Sequence, residues 1–239
     1  MKHQKRITGA ASHLEIEEQG TRYRVSPLHE GDPQRLAEYQ RLRGLTFVER
    51  LGWQIPVDGE GKEADRYDSV EAQSFVSSHG VYGLNNQEHF LGGVRVFTLR
   101  TWSDSMIENE FHTIGMIPKH ALKLMKRRYS CTDLLELTRL CVQPSPTAPF
   151  RQIIARDLTY AAVYALAQKT GRGLALALVD SLYFQVMRRS NFIFREIYTH
   201  QLDQRRGHAL VVIDLWDTIR SIQARGDDAR AARMLALCV

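Results

Sequence analysis

The sequence predicts an α/β (α+β) fold with a single mixed sheet sandwiched by helices. Short strand-like runs recur along the 239 residues. Helical periodicity separates some of these runs, and others follow each other across tight turns. Because strands and helices do not alternate strictly, one sheet covered by helices fits better than a doubly wound fold. No internal repeat or linker-like segment is visible, so one domain is favoured.

The first half of the chain predicts three strands and one long helix. The alternating stretch TRYRVSP predicts the first strand. Apolar residues then recur near helical spacing from about Asp32 to Leu51, which predicts a helix. The stretch SHGVYGLNNQEHFLGGVRVFTL predicts two strands joined by a turn at Asn85 and Asn86.

The second half predicts the remaining strands and helices. Residues 118–126 predict a short helix with a proline in its first turn. The stretch DLLELTRLCV predicts a strand, and residues 149–169 predict a helix that Gly171 terminates. GLALALV then predicts a buried strand, DSLYFQVMRRS a helix, and FIFREIY and HALVVID two strands with a turn at Gly207. Residues 214–222 predict a final helix capped by its aspartate.

The termini are predicted to differ from the domain between them. Residues 1–21 predict a flexible leader, because they are polar and lack the apolar stretch of a signal peptide. Residues 22–222 form the predicted domain, and residues 223–239 a C-terminal helical extension. No apolar run approaches the roughly 20 residues that span a bilayer. We therefore expect a cytoplasmic protein without membrane insertion.

Composition and missing motifs exclude several classes of function. Cys131, Cys141 and Cys238 show no CxxC spacing, which argues against a disulfide framework and a zinc site, so no metal is expected. The chain also lacks GxxxxGK[ST], GxGxxG, HExxH and GxSxG motifs. The net charge of +5 is compatible with an acidic partner. Phe47 and Trp53 stand beside acids and not within basic clusters, so no nucleic-acid partner is expected.

Charged residues interrupt two predicted strands. Arg95 lies in GGVRVF, and Glu136 and Arg139 lie in LLELTRLCV. Alternation places Glu136 and Thr138 on one face and Leu137 and Arg139 on the other, so one exposed face does not account for both charges. Buried ionised groups are usually paired or functional, which marks these residues as site candidates.

A second candidate region is the end of the first predicted helix and the loop after it. Arg43 and Phe47 are four residues apart and share one side of that helix. Trp53 is suited to form a stacking wall, and three carboxylates follow, at Glu63, Asp65 and Asp68. On spacing alone, an apolar core contact and a solvated acidic loop remain an alternative interpretation.

Together these residues resemble the acyl-homoserine-lactone synthase (autoinducer synthase) family. That family shows Arg, three residues, Phe, a Trp six further on, and then a Glu-x-Asp-x-x-Asp cluster. Its strand signature Glu-Leu-Ser-Arg-Phe-x-Val corresponds to ELTRLCV here, with Thr138 in place of Ser. The resemblance runs from about Arg43 to Val142 and is weaker beyond. This chain lacks the family's Leu-x-Pro-Thr run after Arg95, which leaves the acyl specificity open.

The resemblance implies a fold like that of the GCN5-related N-acetyltransferases and an acyltransferase reaction. The α-amine of S-adenosylmethionine, a substrate and not a cofactor, would attack an acyl thioester. Lactone closure would then release methylthioadenosine. Glu136 would act as the base, directly or through water. Arg139 would orient Glu136 or stabilise charge on the reacting carbonyl, and Thr138 would donate a hydrogen bond there.

The resemblance also implies roles for the other positions. Asp65 and Asp68 would attract the cationic groups, and Arg43 would hold the carboxylate or lock the acids. Phe47 and Trp53 would contact the adenosyl group or acyl chain. Arg95 would complete the ion network, and Glu63 would orient Arg43 or attract a cationic ligand. Phe184 and Met187 are candidate ends of the acyl cavity.

The acyl donor is expected to be acyl carrier protein, with acyl-coenzyme A as the alternative. The connection QPSPTAPFRQ lacks the glycines of a coenzyme A pyrophosphate loop. Two basic patches are candidates for docking the acidic carrier: Lys119, Lys123, Lys126 and Arg127, and Arg188 with Arg189. The alternatives to a synthase are an N-acyltransferase for another amino acid and a non-catalytic binding protein.

Overall fold

The computed structural model describes residues 14–18, 21–28, 33–69, 72, 76–84, 89–144, 147–202 and 207–224. The strands in these residues are β1 Leu14–Glu18, β2 Thr21–Pro27, β3 Val76–Gly83, β4 His89–Thr98, β5 Leu134–Val142, β6 Leu174–Asp180, β7 Ile193–His200 and β8 His208–Asp214. The α-helices are α1 Pro33–Arg43, α2 Lys119–Arg128, α3 Ala148–Thr170, α4 Ser181–Arg189 and α5 Leu215–Ala224. Two π-helical segments, Gly44–Arg50 and Ile107–Phe111, complete the helical elements that concern the site.

The strands form one mixed sheet in the order β1-β2-β3-β4-β5-β6-β8-β7, which confirms the predicted single sheet. Neighbours are antiparallel except β5 and β6, which are parallel. The parallel pairing joins only residues 134–137 to residues 174–177. Beyond Leu137 the two strands lose their mutual hydrogen bonds, and a gap opens in the middle of the sheet.

Helices cover both faces of this sheet, as predicted. On one face, α3 packs over β3, β4 and β5, and its Leu158 lies in a core with Val94 and Leu135. On the other face, α2 contributes Leu122 to a second core, and α1 packs over β4 and β5. Burial of these apolar side chains on both faces is the main force that holds the layers together.

Several predicted boundaries are confirmed at their caps. Helix α3 ends before Gly171, whose φ of 73° is the left-handed conformation that glycine adopts readily. Asp214 accepts a hydrogen bond from the backbone nitrogen of Asp217 at 2.8 Å and so caps α5. That helix continues to Ala224, two residues past its predicted end.

The predicted flexible leader is wrong over part of its length. Residues 14–18 form the edge strand β1, because their backbone pairs with β2 in the register Leu14 to Val25. Residues 1–13 and most of the C-terminal extension, from 225 to 239, lie outside the described residues, as does the predicted turn at Asn85 and Asn86.

Candidate active site

A β-bulge in β5 reorients Arg139. Arg95 pairs with Thr138 and Gly93 pairs with Cys141, so two residues of β5 stand opposite one residue of β4. Arg139 takes a left-handed φ of 53° at this bulge. The expectation that Arg139 shares a face with Leu137 is therefore wrong, since strict alternation fails at a bulge. The Arg139 side chain points to the acid loop, whereas Leu137 packs in the core under α3.

The end of α1 supplies the first arginine of a buried ion network. The guanidinium of Arg43 is fully buried and donates to Glu63, to Asp68 Oδ1 at 2.8 Å and to Asp65 Oδ2 at 3.4 Å. Of the two roles expected for Arg43, the geometry matches the one in which it locks the acid cluster.

Arg95 binds the same carboxylates from the sheet. Its Nη2 donates to Asp65 Oδ2 at 2.6 Å, and its Nη1 donates to Asp65 Oδ1 at 2.8 Å and Asp68 Oδ1 at 3.0 Å. Arg95 therefore joins the ion network that Arg43 forms with the acid loop. Asp65 and Asp68 are thus held by arginines, and their attraction of the substrate's cationic groups stays a prediction.

Burial by itself raises the pKa of Glu63, Asp65 and Asp68, but the nearby guanidiniums lower it by more than burial raises it. Arg43 and Arg139 act on Glu63, Arg95 and Arg43 act on Asp65, and Arg43 and Arg95 act on Asp68. The net pKa of each carboxyl is below its ordinary value, so all three are ionised at neutral pH.

A close backbone approach brings the acid loop to α1. The Cβ of any larger residue at Gly44 would lie 2.0 Å from the carbonyl oxygen of Gly61. Glycine therefore lets the loop touch the helix end, where the backbone nitrogen of Glu63 donates to the carbonyl of Gln40 at 3.0 Å. The loop then turns through a capping box formed by Asp65 and Asp68.

An apolar cleft opens where β5 and β6 separate. Its aromatic wall is Trp53, stacked on Phe47 with ring centroids 4.9 Å apart and contacted edge-on by Phe111 at 5.5 Å. The other residues that line the cleft are Leu51, Leu137, Thr138, Arg139, Leu140, Ala177, Leu178, Val179, Asp180 and Tyr183.

Two of the cleft-lining residues have polar atoms without a partner in the described structure. Thr138 Oγ1 and Arg139 Nη1 are buried and make no hydrogen bond. Buried polar groups are rarely left unsatisfied, so these atoms mark a place where a ligand is expected to bind.

Glu136 lies deeper than the cleft wall. It is 0 % exposed, and its Oε1 accepts a hydrogen bond from the backbone nitrogen of Ile107 at 3.0 Å. Its Oε2 has no hydrogen-bond partner among the described residues. Burial raises the pKa of Glu136 to about 7, and the hydrogen bonds that it accepts oppose this shift. The carboxyl therefore titrates near neutrality, as a general base requires, although it is not among the residues that line the cleft.

Two functional candidates were missed in the sequence, Glu110 and Phe111 of the segment IENEF. Glu110 contacts Arg139 at 3.3 Å, and Phe111 forms part of the aromatic wall. The segment follows a strand and reads as an ordinary acidic loop, so no local pattern distinguishes it.

The two predicted docking patches lie on opposite faces of the sheet. On α2, Lys119, Lys123 and Arg127 are exposed at spacings of four residues, whereas Lys126 is ion-paired to Glu108 at 2.5 Å. The second patch, Arg188 with Arg189, is exposed at the end of α4, which packs over the other face with α3. They are therefore two alternative docking surfaces and not one continuous surface.

The prediction for the end of the acyl cavity is wrong in detail. Phe184 and Met187 are buried in the core under α3 and do not line the cleft. Helix periodicity turns Tyr183 to the cleft instead, one residue before Phe184.

The fold is the predicted single mixed sheet sandwiched by helices. Residues 29–218 match the autoinducer synthase family, so the chain belongs to that family and is an enzyme. A comparison with curated protein sequences gives no significant match. None of the described helices is long and apolar enough to cross a membrane.

Three solved structures illustrate the likeness. The AHL synthase LasI is 19% identical, with 81% of this chain and 89% of that chain covered and a TM-score of 0.57. The CoA-dependent acyl-homoserine lactone synthase BjaI, solved with SAM and isopentyl-CoA, is 18% identical over 80% of this chain and 81% of its own, with a TM-score of 0.55. FeeM, an N-acyl amino acid synthase from uncultured soil microbes, is 11% identical over 84% and 95%, with a TM-score of 0.54. At these identities the likenesses establish the fold alone.

Proposed function

We propose that the chain makes an acyl-homoserine lactone from S-adenosylmethionine and an acyl thioester. The observation that carries this proposal is the juxtaposition of a buried network of arginines and carboxylates with an aromatic cleft. S-adenosylmethionine carries a carboxylate, two cationic centres and a flat adenosyl group, and it needs charged and aromatic contacts side by side. The BjaI structure with SAM and isopentyl-CoA is similar in fold and supports this pair of substrates.

The gap between β5 and β6 suits the thioester. From Thr138 onward, the edge of β5 that faces β6 has lost its strand partner. An extended pantetheine arm can take that place and satisfy the open backbone groups, while its acyl chain lies against the aromatic wall.

Acylation then requires removal of a proton from the α-ammonium. We assign this proton to Glu136, whose pKa of about 7 lets it accept a proton at neutral pH. Because Glu136 does not line the cleft, a water beside its unpaired Oε2 would relay the proton. The amine nitrogen attacks the thioester carbon, and the thiolate leaves as the tetrahedral intermediate collapses.

Thr138 and Arg139 would stabilise that intermediate. Thr138 Oγ1 and Arg139 Nη1 are unpaired donors in the cleft wall, and both can donate to the developing oxyanion. In the second step the carboxylate of the acylated product attacks its own γ-carbon. The carbon–sulfur bond breaks, the sulfonium takes the electron pair, and neutral methylthioadenosine leaves.

The second candidate function is N-acylation of another amino acid without lactone formation. The fold likeness to FeeM favours keeping it, since that protein makes N-acyl amino acids on a similar fold. Purified protein incubated with S-adenosylmethionine and a panel of carrier-protein and coenzyme A thioesters tests the choice. Mass spectrometry is expected to detect acyl-homoserine lactone together with methylthioadenosine.

Two variants complete this experiment. Glu136→Gln is expected to abolish both products while the protein stays folded, and Glu60→Gln, which alters an exposed carboxylate paired with Arg41, is expected to keep full activity. Consumption of thioester without methylthioadenosine would favour the second candidate. No turnover of any thioester would contradict both.

A further inference from the structure

The segment Ile107–Phe111 touches the site at three points. The backbone nitrogen of Ile107 donates to Glu136, Glu110 accepts from Arg139, and Phe111 contacts Trp53. One π-helical turn therefore contacts Glu136, Arg139 and the aromatic wall, and it fixes their positions relative to one another. Of the side chains in this segment, Glu110 is the one that brings a further charge to the site.

The ion network carries more negative than positive charge. Its four carboxylates, Glu63, Asp65, Asp68 and Glu110, face three guanidiniums. Arg66 lies nearby and its charge acts on Glu110 and Asp65, but it is exposed and its guanidinium donates to the hydroxyl of Tyr67 at 2.7 Å. Glu110 keeps a pKa above its ordinary value, because burial and the neighbouring carboxylates outweigh the attraction of Arg139. The ion-paired cluster thus has room for one more cation.

Glu110 is the accessible member of the four. Its side chain is 26 % exposed, compared with 2 % for Glu63, 12 % for Asp65 and 8 % for Asp68. Among the described residues its side chain has one hydrogen-bond partner, Arg139, at a long 3.3 Å. An incoming cation can therefore approach the Glu110 carboxylate without breaking the buried pairs.

The unpaired atoms of the cleft show where that cation would lie. Arg139 contacts Glu110 and also lines the cleft, and its Nη1, like Thr138 Oγ1, has no hydrogen-bond partner among the described residues. If these two donors receive the thioester oxygen, the attacking nitrogen must stand close to them. That nitrogen must then also lie close to the Glu110 carboxylate, which contacts the same Arg139 guanidinium.

We infer that Glu110 binds the α-ammonium group of the amino substrate and positions it at the mouth of the cleft. This inference rests on the proposed function. Glu136 is enclosed and unable to make this contact directly, and Asp65 and Asp68 are already held by Arg43 and Arg95. Glu110 is thus a substrate-binding residue, distinct from the group that takes the proton.

Calorimetric titration of three ligands tests the assignment without any thioester. S-adenosylmethionine carries both ammonium and sulfonium, S-adenosylhomocysteine carries only the ammonium, and methylthioadenosine carries neither. Glu110→Gln is expected to raise the Kd of the first two about tenfold and that of the third less than about twofold. Glu110→Asp keeps the charge and is expected to recover most of the affinity.

Glu108→Gln is the matched control, because Glu108 lies two residues away and pairs with Lys126 outside the site. It is expected to bind all three ligands as the wild type does. If Glu110→Gln raised the Kd of methylthioadenosine as much as that of the other two ligands, Glu110 would have a structural role. If it left the Kd of S-adenosylhomocysteine unchanged, Glu110 would not bind the ammonium. Either result overturns the inference. Failure of the wild type to bind S-adenosylmethionine would instead contradict the proposed function itself.

Discussion

Arg139 and Glu63 form a two-point contact between the central strand and the acid loop. Arg139 Nη2 donates to Glu63 Oε1 at 2.8 Å, and Arg139 Nε donates to Glu63 Oε2 at 3.2 Å. Arg43 binds the same carboxylate from the helix end. Glu63 therefore joins three segments that are distant in the sequence, and both of its arginine partners are buried.

Glu63→Gln is expected to destabilise the fold strongly. The substitution leaves two buried guanidiniums without part of their compensating charge, and breaking a buried ion pair typically costs about 3–5 kcal/mol. Urea unfolding followed by circular dichroism would measure the change in the free energy of unfolding. The control is Glu60→Gln in an exposed pair with Arg41, expected to cost less than about 1 kcal/mol. Similar losses for both variants would argue against a structural role for the network.

Thr138→Val is expected to separate activity from stability. Because Thr138 Oγ1 has no partner in the described structure, its removal costs no protein hydrogen bond. Loss of an oxyanion donor typically lowers kcat by about 100-fold or more. We expect that loss in steady-state assays with an unchanged or higher Tm, whereas Thr138→Ser keeps the hydroxyl and most of the activity. Full activity in the valine variant would remove Thr138 from the mechanism.

Glu136 makes stability depend on pH in a specific direction. Its pKa is raised from 4.5 to about 7, so the folded state binds this proton more tightly than the unfolded state. The stabilisation is complete below about pH 4.5 and is lost as the pH rises through about 7, and it amounts to about 3 kcal/mol. Glu136→Gln removes this dependence.

The measurement is the free energy of unfolding of Glu136→Gln minus that of the wild type. This difference is expected to rise by about 3 kcal/mol from pH 4.5 to pH 8, because the variant never has to bury an ionised carboxylate. The titrations of all other groups cancel in the difference. A value independent of pH would show that the Glu136 pKa is not raised.

The donor is tested by reversing the charge of each basic patch in turn. Lys123→Glu with Arg127→Glu alters the α2 surface, and Arg188→Glu with Arg189→Glu alters the α4 surface. Because acyl carrier protein is acidic, the docking pair is expected to raise KM for the carrier thioester at least about tenfold and to leave KM for an acyl-coenzyme A unchanged. Equal effects of both pairs, or none, would argue against a carrier protein as the donor.

The sequence indicated most residues of the ion network but not their geometry. Spacing and resemblance identified Arg43, Glu63, Arg95 and Arg139, because charge inside apolar segments is unusual and has to be paired. The bulge at Arg139 could not be predicted, since it depends on the pairing register with β4. Which carboxylate each arginine binds likewise depends on contacts between segments that are distant in the sequence.

The layered fold was predictable for a similar reason. Apolar residues at helical spacing and residues typical of helix ends indicated helices such as α3, which ends before Gly171. The strand β1 was missed because its stability comes from pairing with β2 and not from a strong local pattern. Glu110 was missed because an acidic residue in a loop differs from a solvated one only through its three-dimensional neighbours.

The most direct test of the central claim is the molar ratio of methylthioadenosine to N-acyl product, measured by mass spectrometry in one reaction. Each lactone that closes must release one methylthioadenosine, so the proposed function predicts a ratio of one to one from the first turnover. An N-acyl product that accumulates with its sulfonium still attached, or on another amino acid without methylthioadenosine, would contradict the account.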